Sequence, residues 1–418
     1  MCTLDRSRLC IIAAVGLFAA AAVRADSPTI VPPPPPPGSA VEAAEGTSKL
    51  AWELVRASGE GNAILSPASV WEALAMTHAG ARGETAAEIA AVLGVSDDRE
   101  QIAAAAAELR TLLAEAKGEK IKLDVANRIW AQQGKRLEAD FTGLLENKYG
   151  AVAGIVDFAS RPEDARREIN AWVGEHTADK IPELLKSDTI TPLTRLVLTN
   201  AIYMKAPWAK PFEKSATRPE GFTLAGGDKA EVPFMHASGK MVAGKLGDGG
   251  TAATVCEIPY AGDRLAMVLV VPAKADGLPA VLVGLAGDWR AQWNAAGGVR
   301  QRPVILSLPK WTARKPLSLT AALQSLGMKQ AFVAGRADLS GMDGTKDLFV
   351  SDVVHEGFVE VSEEGTEAAA ATGVIVATRA AVIPEEPLEV KADRPFAWAV
   401  VEPGTGAVLF AGTVTDPR

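Results

Sequence analysis

The sequence predicts an α+β fold, with helices concentrated in the first half of the chain and strands in the second. Three observations carry this prediction. Apolar residues recur at helical spacing up to about residue 176. Short apolar or β-branched runs dominate after about residue 193. Helices and strands do not alternate regularly, which favours a large mixed sheet with helices packed on it over a parallel α/β fold.

The predicted helices rest on apolar spacing and on terminal signals. Glu84 and Thr85 begin one helix and Gly94 ends it, as acidic or hydroxyl residues and glycine commonly do. An alanine-rich run supports the next helix, because alanine is the strongest helix former. The predicted helices cover residues 47–58, 67–78, 85–93, 98–116, 137–148, 162–176 and 316–326.

The predicted strands are runs of four to twelve residues rich in valine, isoleucine and leucine. Two of them interrupt the helical half, and the others follow one another in the second half. They cover residues 122–130, 193–204, 254–258, 265–271, 304–308, 348–355, 358–361, 396–402 and 408–414.

Composition bounds the possible functions. The 418 residues are 48% hydrophobic and 22% charged, enough to bury a large core. Because 51 acidic residues exceed 43 basic ones, neither nucleic acid nor an anionic membrane is expected as the main partner. The three cysteines and four histidines are too scattered for a disulfide framework, a metal site or a cofactor site. We expect no cofactor and no metal.

The amino terminus resembles a targeting segment. Arg6 and Arg8 precede an apolar run of about 15 residues, too short to span a bilayer at ~20 residues, and small residues flank Arg24. We therefore expect a signal peptide over residues 1–25, cleaved near Ala25–Asp26, and secretion to the periplasm or the extracellular space. A proline-rich linker over residues 26–45 and one domain over residues 46–418 complete the expected organisation.

Catalytic motifs give little support for an enzyme. Ser307 and Lys310 match S-x-x-K, but a strand pattern with a proline separates them where a helical turn is needed. Residues 247–252 fit G-x-G-x-x-A without opening a helix after a strand. A dispersed Ser-His-Asp set stays open, since such triads are recognised by geometry and not by sequence order.

One segment is compatible with two conformations. In a strand its alternate side chains, from Thr366 to Thr372, form a small, uncharged row that a sheet can bury, while Glu367 faces the other side. As a loop the same segment would be exposed. This combination is typical of a switch. The segment consists of Glu363, Glu364, Gly365, Thr366, Glu367, Ala368, Ala369, Ala370, Ala371 and Thr372.

Together with motifs in the same order elsewhere, this segment resembles the hinge of the serpins, the serine protease inhibitor family. The chain is similar to an inhibitory serpin of bacterial type over residues 46–418. Ala206 and Pro207 depart from the family pattern, which usually has a glycine and a variable residue there. The other matching motifs are residues 62–69, 80–85, 196–203, Trp208, 211–212, 351–355, 394–396 and 409–412.

The resemblance implies a suicide-substrate mechanism with an exposed reactive loop and no enzymatic activity. A target protease cleaves the loop, which then inserts into the central sheet and traps the acyl-enzyme. The scissile residue usually follows the hinge glycine by fourteen positions, which is Arg379, the only basic residue between Gly365 and Lys391. The resemblance therefore implies cleavage at Arg379–Ala380 by a trypsin-like serine protease, whose acidic pocket takes arginine.

The resemblance also implies a polar cluster beneath the sheet centre, where the strands part, and a tryptophan, Trp208, at the top of the sheet. The resemblance does not imply heparin as a partner. Some serpins bind heparin through basic residues on the fourth helix, and the matching stretch here, residues 98–117, contains only Arg99, Arg110 and Lys117 as basic residues. We expect a monomer that does not insert stably into membranes. The implied cluster consists of Ser66, Ser69, Asn200 and His355.

Two alternatives remain within the resemblance. A non-inhibitory serpin would act as a binding or chaperone protein, but such members tend to carry bulky or charged hinge residues, unlike Ala368 to Ala371. An inhibitor of cysteine or subtilisin-like proteases would use a shifted scissile bond.

Overall fold

The structure is a computed structural model, which describes residues 39–59, 61–117, 120–286, 289, 293, 298–366 and 385–418. The predicted signal peptide, most of the predicted linker, hinge residues 367–372 and the predicted scissile bond Arg379–Ala380 lie outside the described residues. The described residues belong to one compact unit.

Most of the α-helices lie in the first half of the chain, as predicted. The first helix is longer than predicted and begins at Ser39, whereas the sequence predicted a start at Thr47. A π-helical turn, Leu145–Tyr149, continues the fifth. The described helices are α1 Ser39–Ala57, α2 Pro67–Gly80, α3 Gly83–Leu93, α4 Arg99–Ala116, α5 Ala139–Leu144, α6 Pro162–His176, α7 Leu278–Leu285, α8 Thr320–Ser325 and α9 Ser340–Asp343.

Strands dominate the second half. The two runs predicted over residues 348–361 form one continuous strand, and a long hairpin over residues 218–246 was not predicted. The described strands are β1 Ala63–Leu65, β2 Lys122–Gln132, β3 Gly154–Val156, β4 Leu196–Pro207, β5 Arg218–Thr223, β6 Lys229–Leu246, β7 Ala253–Pro259, β8 Ala266–Pro272, β9 Arg300–Pro309, β10 Trp311–Ser318, β11 Val350–Ser362, β12 Gly365–Thr366, β13 Leu388–Lys391, β14 Phe396–Val401 and β15 Val408–Val414.

A six-stranded mixed sheet has the order β10-β11-β12-β4-β2-β3. At its centre β4 and β11 are parallel, with residues 196–203 paired to residues 350–358. We call this pairing the central seam. At one end of the seam β12 lies between the same two strands and is antiparallel to both.

A second sheet of nine strands has the order β1-β15-β14-β8-β7-β6-β9-β13, with β5 paired to β6. Its edge strand β13 is the first described strand after residue 384 and runs parallel to β9. The far end of the predicted reactive loop therefore leads into an edge of this sheet.

The two faces of the six-stranded sheet pack against different helices. Alternate residues of a strand point to opposite faces. Leu198 and Ile202 of β4 belong to the main core, which also contains α2, whose residues are all buried. Val197 and Ala201 belong to a smaller core that includes residues of α6. The seam therefore lies between α2 on one face and α6 on the other.

Among the described residues, none of the helices combines the length and the apolar character that crossing a membrane requires. Within the same ranges, no cluster of histidine, cysteine, aspartate and glutamate has the makings of a metal site.

Candidate functional site

The hinge enters the sheet at the end of the seam. After β11 ends at Ser362, a turn leads into β12, where Gly365 pairs with Pro207 and Thr366 pairs with Ala206. Gly365 has a φ of +149°, and a Cβ there would lie 2.2 Å from the carbonyl oxygen of Ala206. Only glycine fits this close approach, which explains the residue type at this position.

Thr366 is fully buried at this entry point. Its hydroxyl forms a 2.7 Å hydrogen bond with the hydroxyl of Tyr260, whose ring stacks on Trp208 at 4.6 Å between centroids. The indole Nε1 of Trp208 donates to the carbonyl of Ser362 at 2.9 Å. Thus Trp208 and Tyr260 together form the floor on which the first hinge residues lie.

Two ion pairs hold the turn that precedes β12. Lys310 Nζ lies 2.9 Å from Glu363, whose other oxygen accepts a 2.9 Å hydrogen bond from Thr217. Lys214 pairs with Glu364 at 2.5 Å. Burial alone would raise the pKa of Glu363, but the hydrogen bonds from Lys310 and Thr217 outweigh it and hold that pKa below its usual range. The start of the hinge is therefore anchored by charge as well as by β-pairing.

The polar residues implied by the sequence meet beneath the seam. His355 of β11 and Asn200 of β4 are direct neighbours across it. The imidazole Nε2 of His355 accepts from the backbone N–H of Ser66 at 3.0 Å, so Nδ1 carries the proton and donates to the side-chain oxygen of Asn200. Burial lowers the pKa of His355 to about 3, and the ring is neutral.

Asn200 continues the network away from the seam. Its Nδ2 donates to the hydroxyl of Ser69 and to Oδ1 of Asn127, each at 2.5 Å. Ser69 in turn donates to Asn127 at 2.7 Å, and its N–H is capped by Ser66. We call Ser66, Ser69, Asn127, Asn200 and His355 the seam cluster. Every member except Asn127 was expected from the sequence.

Trp208 is not part of the seam cluster. It lies eight residues after Asn200 and directly after the end of β4, roughly 26 Å away at about 3.3 Å per residue. It belongs to the hinge entry, as expected for a tryptophan at the top of the sheet.

Sequence reasoning missed three residues in or beside the seam cluster and the hinge entry. Asn127 lies directly opposite Asn200 in the β2–β4 register, and Glu72 hydrogen-bonds Asn127 from α2. Tyr260 lies just beyond β7 in the other sheet. Their partners are far away in sequence, so only the spacing of Glu72, three residues after Ser69 on one helix face, hinted at a shared role.

Ser307 also meets a histidine and a carboxylate. Its hydroxyl lies 3.1 Å from Nδ1 of His236, whose Nε2 is 3.2 Å from Glu220. The same carboxylate binds Lys391 of β13 at 2.9 Å and Arg218 at 3.0 Å. Ser307 is buried between strands, and the carboxylate of Glu220 is shared with two cations. Because Lys391 belongs to β13, these contacts link β13 to the neighbouring strands.

The comparisons with known proteins agree with this geometry. The family profile described as "Serpin (serine protease inhibitor)" matches residues 44–417. The chain belongs to the serpin family. The family is described by the inhibition of serine proteases and not by catalysis, and this serpin is therefore not an enzyme.

Similar proteins come from distant organisms. This serpin is 36% identical to the leukocyte elastase inhibitor of Equus caballus over 376 residues, covering 87% of this chain and 97% of that protein. It is 36% identical to an uncharacterized serpin-like protein of Thermococcus kodakarensis over 362 residues, covering 87% and 82%. The solved structure of Serpin48 from Tenebrio molitor matches with a TM-score of 0.77 and 31% identity, covering 91% and 97%. None of these three supports a bacterial type, which stays a prediction.

Proposed function

We propose that this serpin is a secreted suicide-substrate inhibitor of trypsin-like serine proteases, cleaved at Arg379–Ala380. The observation that carries the proposal is β12, which occupies the end of the seam and leads straight into the small, uncharged hinge row. The hinge therefore needs only to extend a strand that has already begun.

The register of β12 defines the path of insertion. Thr366 lies opposite Ala206 and Val361, both of which belong to the main core. If the antiparallel register continued, residue 376 would lie opposite Leu196 at the far end of β4. Even-numbered residues from 366 would face the core, whereas Glu367 would face the opposite side. The inserted strand would thus bury the row of small and β-branched side chains.

Insertion would replace one ladder of hydrogen bonds by two. The seam now holds a single β4–β11 ladder, and an inserted strand would pair with both neighbours. The gain is about one ladder, on the order of 10 kcal/mol at about 1 kcal/mol per backbone hydrogen bond. Burial of the inner row adds to it. This is the free energy that the native state would release.

The trapping step needs only the chemistry of the protease. Its serine attacks the carbonyl carbon of Arg379, the bond to the nitrogen of Ala380 breaks, and the Ala380 amine leaves after accepting a proton. An ester between Arg379 and the protease serine remains. Insertion then moves the ester away before water hydrolyses it, so the complex persists.

The residue at the scissile position supports a trypsin-like target. The similar proteins include leukocyte elastase inhibitors, and elastase has a small primary pocket that cannot take an arginine side chain. Arg379 instead suits a pocket with a carboxylate. The amino-terminal segment of residues 1–25 supports secretion. Cys256, the cysteine outside that segment, is free and buried.

Incubation of the protein lacking residues 1–25 with trypsin tests this function. We expect a complex that survives SDS and heat, and a released carboxy-terminal fragment that begins at Ala380. Cleaved inhibitor without complex would overturn the inhibitory function. Undiminished trapping by Arg379→Ala would overturn the scissile assignment and point to a shifted bond. Amino-terminal sequencing of the exported protein tests cleavage near Ala25–Asp26.

A further inference from the structure

A buried carboxylate on α2 adjoins the seam cluster and has no part in the mechanism above. Glu72 is 6% exposed. Its Oε2 accepts a 2.9 Å hydrogen bond from Nδ2 of Asn127, and its Oε1 lies 3.5 Å from Nε of Arg110 on α4. A carboxylate in such a place costs free energy unless it is well paired, so its presence calls for a physical explanation.

Glu72 determines which way the amide of Asn127 points. An ionised carboxylate can only accept hydrogen bonds, so the NH₂ group must face α2, where it also donates to the carbonyl of Ser69 at 3.2 Å. The amide oxygen then faces Ser69 and Asn200, and both donate to it. This orientation in turn leaves the side-chain oxygen of Asn200 for His355. Glu72 therefore sets the direction of the hydrogen bonds that cross the seam.

The charge of Glu72 is only partly compensated. Arg110 is 39% exposed and also donates to the carbonyl of Lys148. The phenol of Tyr149 also lies near Glu72 but brings no positive charge, and its hydroxyl donates to the carbonyl of Ala75. The charge of Arg99 acts on this phenol. Burial outweighs Arg110 and Asn127 and raises the pKa of Glu72 to about 7. Glu72 thus changes charge near neutral pH, whereas His355 stays neutral there.

We propose that Glu72 is a positioning residue for sheet opening, which acts through Asn127 and makes opening of the seam depend on its ionisation. This inference rests on the proposed insertion of the loop. When β4 and β11 separate, Asn200 and His355 part and water reaches the network. The ionised carboxylate gains most from that water, so deprotonation favours the open seam.

The sign of the pH dependence follows from linkage. The closed state holds the proton of Glu72 up to about pH 7, and the open state releases it closer to the ordinary value of 4.5. Opening therefore releases a proton between these values and becomes easier as the pH rises. Above about pH 7 the carboxylate is ionised in both states, and the effect levels off.

Uptake of a peptide by the intact protein measures opening directly. A fluorescein-labelled peptide with the sequence of residues 366–376 is mixed with the protein between pH 5 and 8.5, and the rate of its stable incorporation is recorded. We expect the rate to rise about fivefold or more from pH 5.5 to 7 and then level off. Glu72→Gln should give a flat profile, because the amide does not titrate.

Two variants separate positioning from mere structural support. Arg110→Gln removes the cation that lowers the pKa of Glu72, so the rise should move to higher pH; this readout also serves if Glu72→Gln fails to fold. Glu356→Gln is the matched control. Glu356 is a buried carboxylate of β11 bound to Arg314, and its loss should leave the rise in place. A rise that persists in Glu72→Gln, or that vanishes in Glu356→Gln instead, overturns the proposal.

The failure of this inference can be told apart from failure of the proposed function. Peptide uptake involves no protease, whereas the complex with trypsin is scored separately at one pH. Uptake with the expected profile but no trypsin complex refutes the inhibitory function and supports the role of Glu72. Trapping of trypsin together with pH-independent uptake of the peptide supports the inhibitory function and refutes the role of Glu72. Absence of uptake at every pH also contradicts the role of Glu72.

Discussion

Replacement of Thr366 by arginine should convert this serpin from an inhibitor into a substrate. Thr366 is 0% exposed, lies between Ala206 and Val361, and bonds to the buried hydroxyl of Tyr260. An arginine there would place a guanidinium group in the main core at the first step of insertion. The hinge would have to leave the entry point for the cation to stay in water.

The free-energy penalty of burying the guanidinium group decides whether trypsin is trapped or released. The effective penalty for burying an unpaired ion is several kcal/mol, and about 4 kcal/mol would slow insertion about 10³-fold at 1.36 kcal/mol per factor of ten. Trapping competes with hydrolysis of the acyl-enzyme. A delay of this size lets water win, so trypsin would cleave Thr366→Arg and be released active.

Glu367→Arg provides the matched control, since the register places residue 367 on the opposite face of the inserted strand. The assay titrates trypsin activity with each variant and examines the products on a denaturing gel. Native protein and Glu367→Arg should consume about one inhibitor molecule per trypsin, and Thr366→Arg should yield fragments alone. Equal trapping by all three, or equal loss in both variants, would refute the assigned register.

Three further outcomes are expected. Burial lowers the pKa of His355 from 6.5 to about 3, so between these values the unfolded protein binds a proton that the native protein does not; the stability that this group contributes is complete above pH 6.5 and falls toward pH 3 by at most ~1.4 kcal/mol per pH unit. The thermal unfolding of His355→Gln should therefore depend less on pH than that of the native protein. Tyr260→Phe leaves the hinge hydroxyl without its partner at a cost of about 1–3 kcal/mol, and faster amide exchange in β12 should report it; unchanged exchange would contradict the contact. Lys310→Met leaves Glu363 buried without its cation and should lower the melting temperature, whereas Lys214→Met, whose side chain is 68% exposed, should change it little; equal effects would show that burial of the pair is irrelevant.

Sequence reasoning succeeded where the pattern is local. The period of apolar residues predicted α2, because the helix period is a property of neighbouring residues. Within β12 both Gly365 and Thr366 are buried, and the alternation beyond Thr366 stays a prediction because hinge residues 367–372 lie outside the described residues. The resemblance to serpins, which the family comparison confirms, rested on such local motifs.

Sequence reasoning was less successful where distant partners decide the structure. The hairpin of β5 and β6 was missed, and its strands contain proline and glycine, which are depleted in strands. The strand β10 occupies part of a predicted helix because it pairs with β11. Tertiary pairing overrides weak local preference in such segments. The role of Tyr260 depends on a contact with Thr366, which is far away along the chain.

The alternating small residues, the glycine before them and the arginine that follows were readable from the sequence, because each depends on residue type and spacing alone. From these features we predict that a strand can form and which side it buries. The resemblance to serpins adds the bond that a protease would cut, and that bond stays a prediction. Where that strand begins was decided by the tertiary structure, which seats Gly365 and Thr366 between β4 and β11. The tertiary structure also brought Glu72 to Asn127 and hence to the seam, since a hydrogen bond between distant elements exists only once the sheet and α2 have packed together.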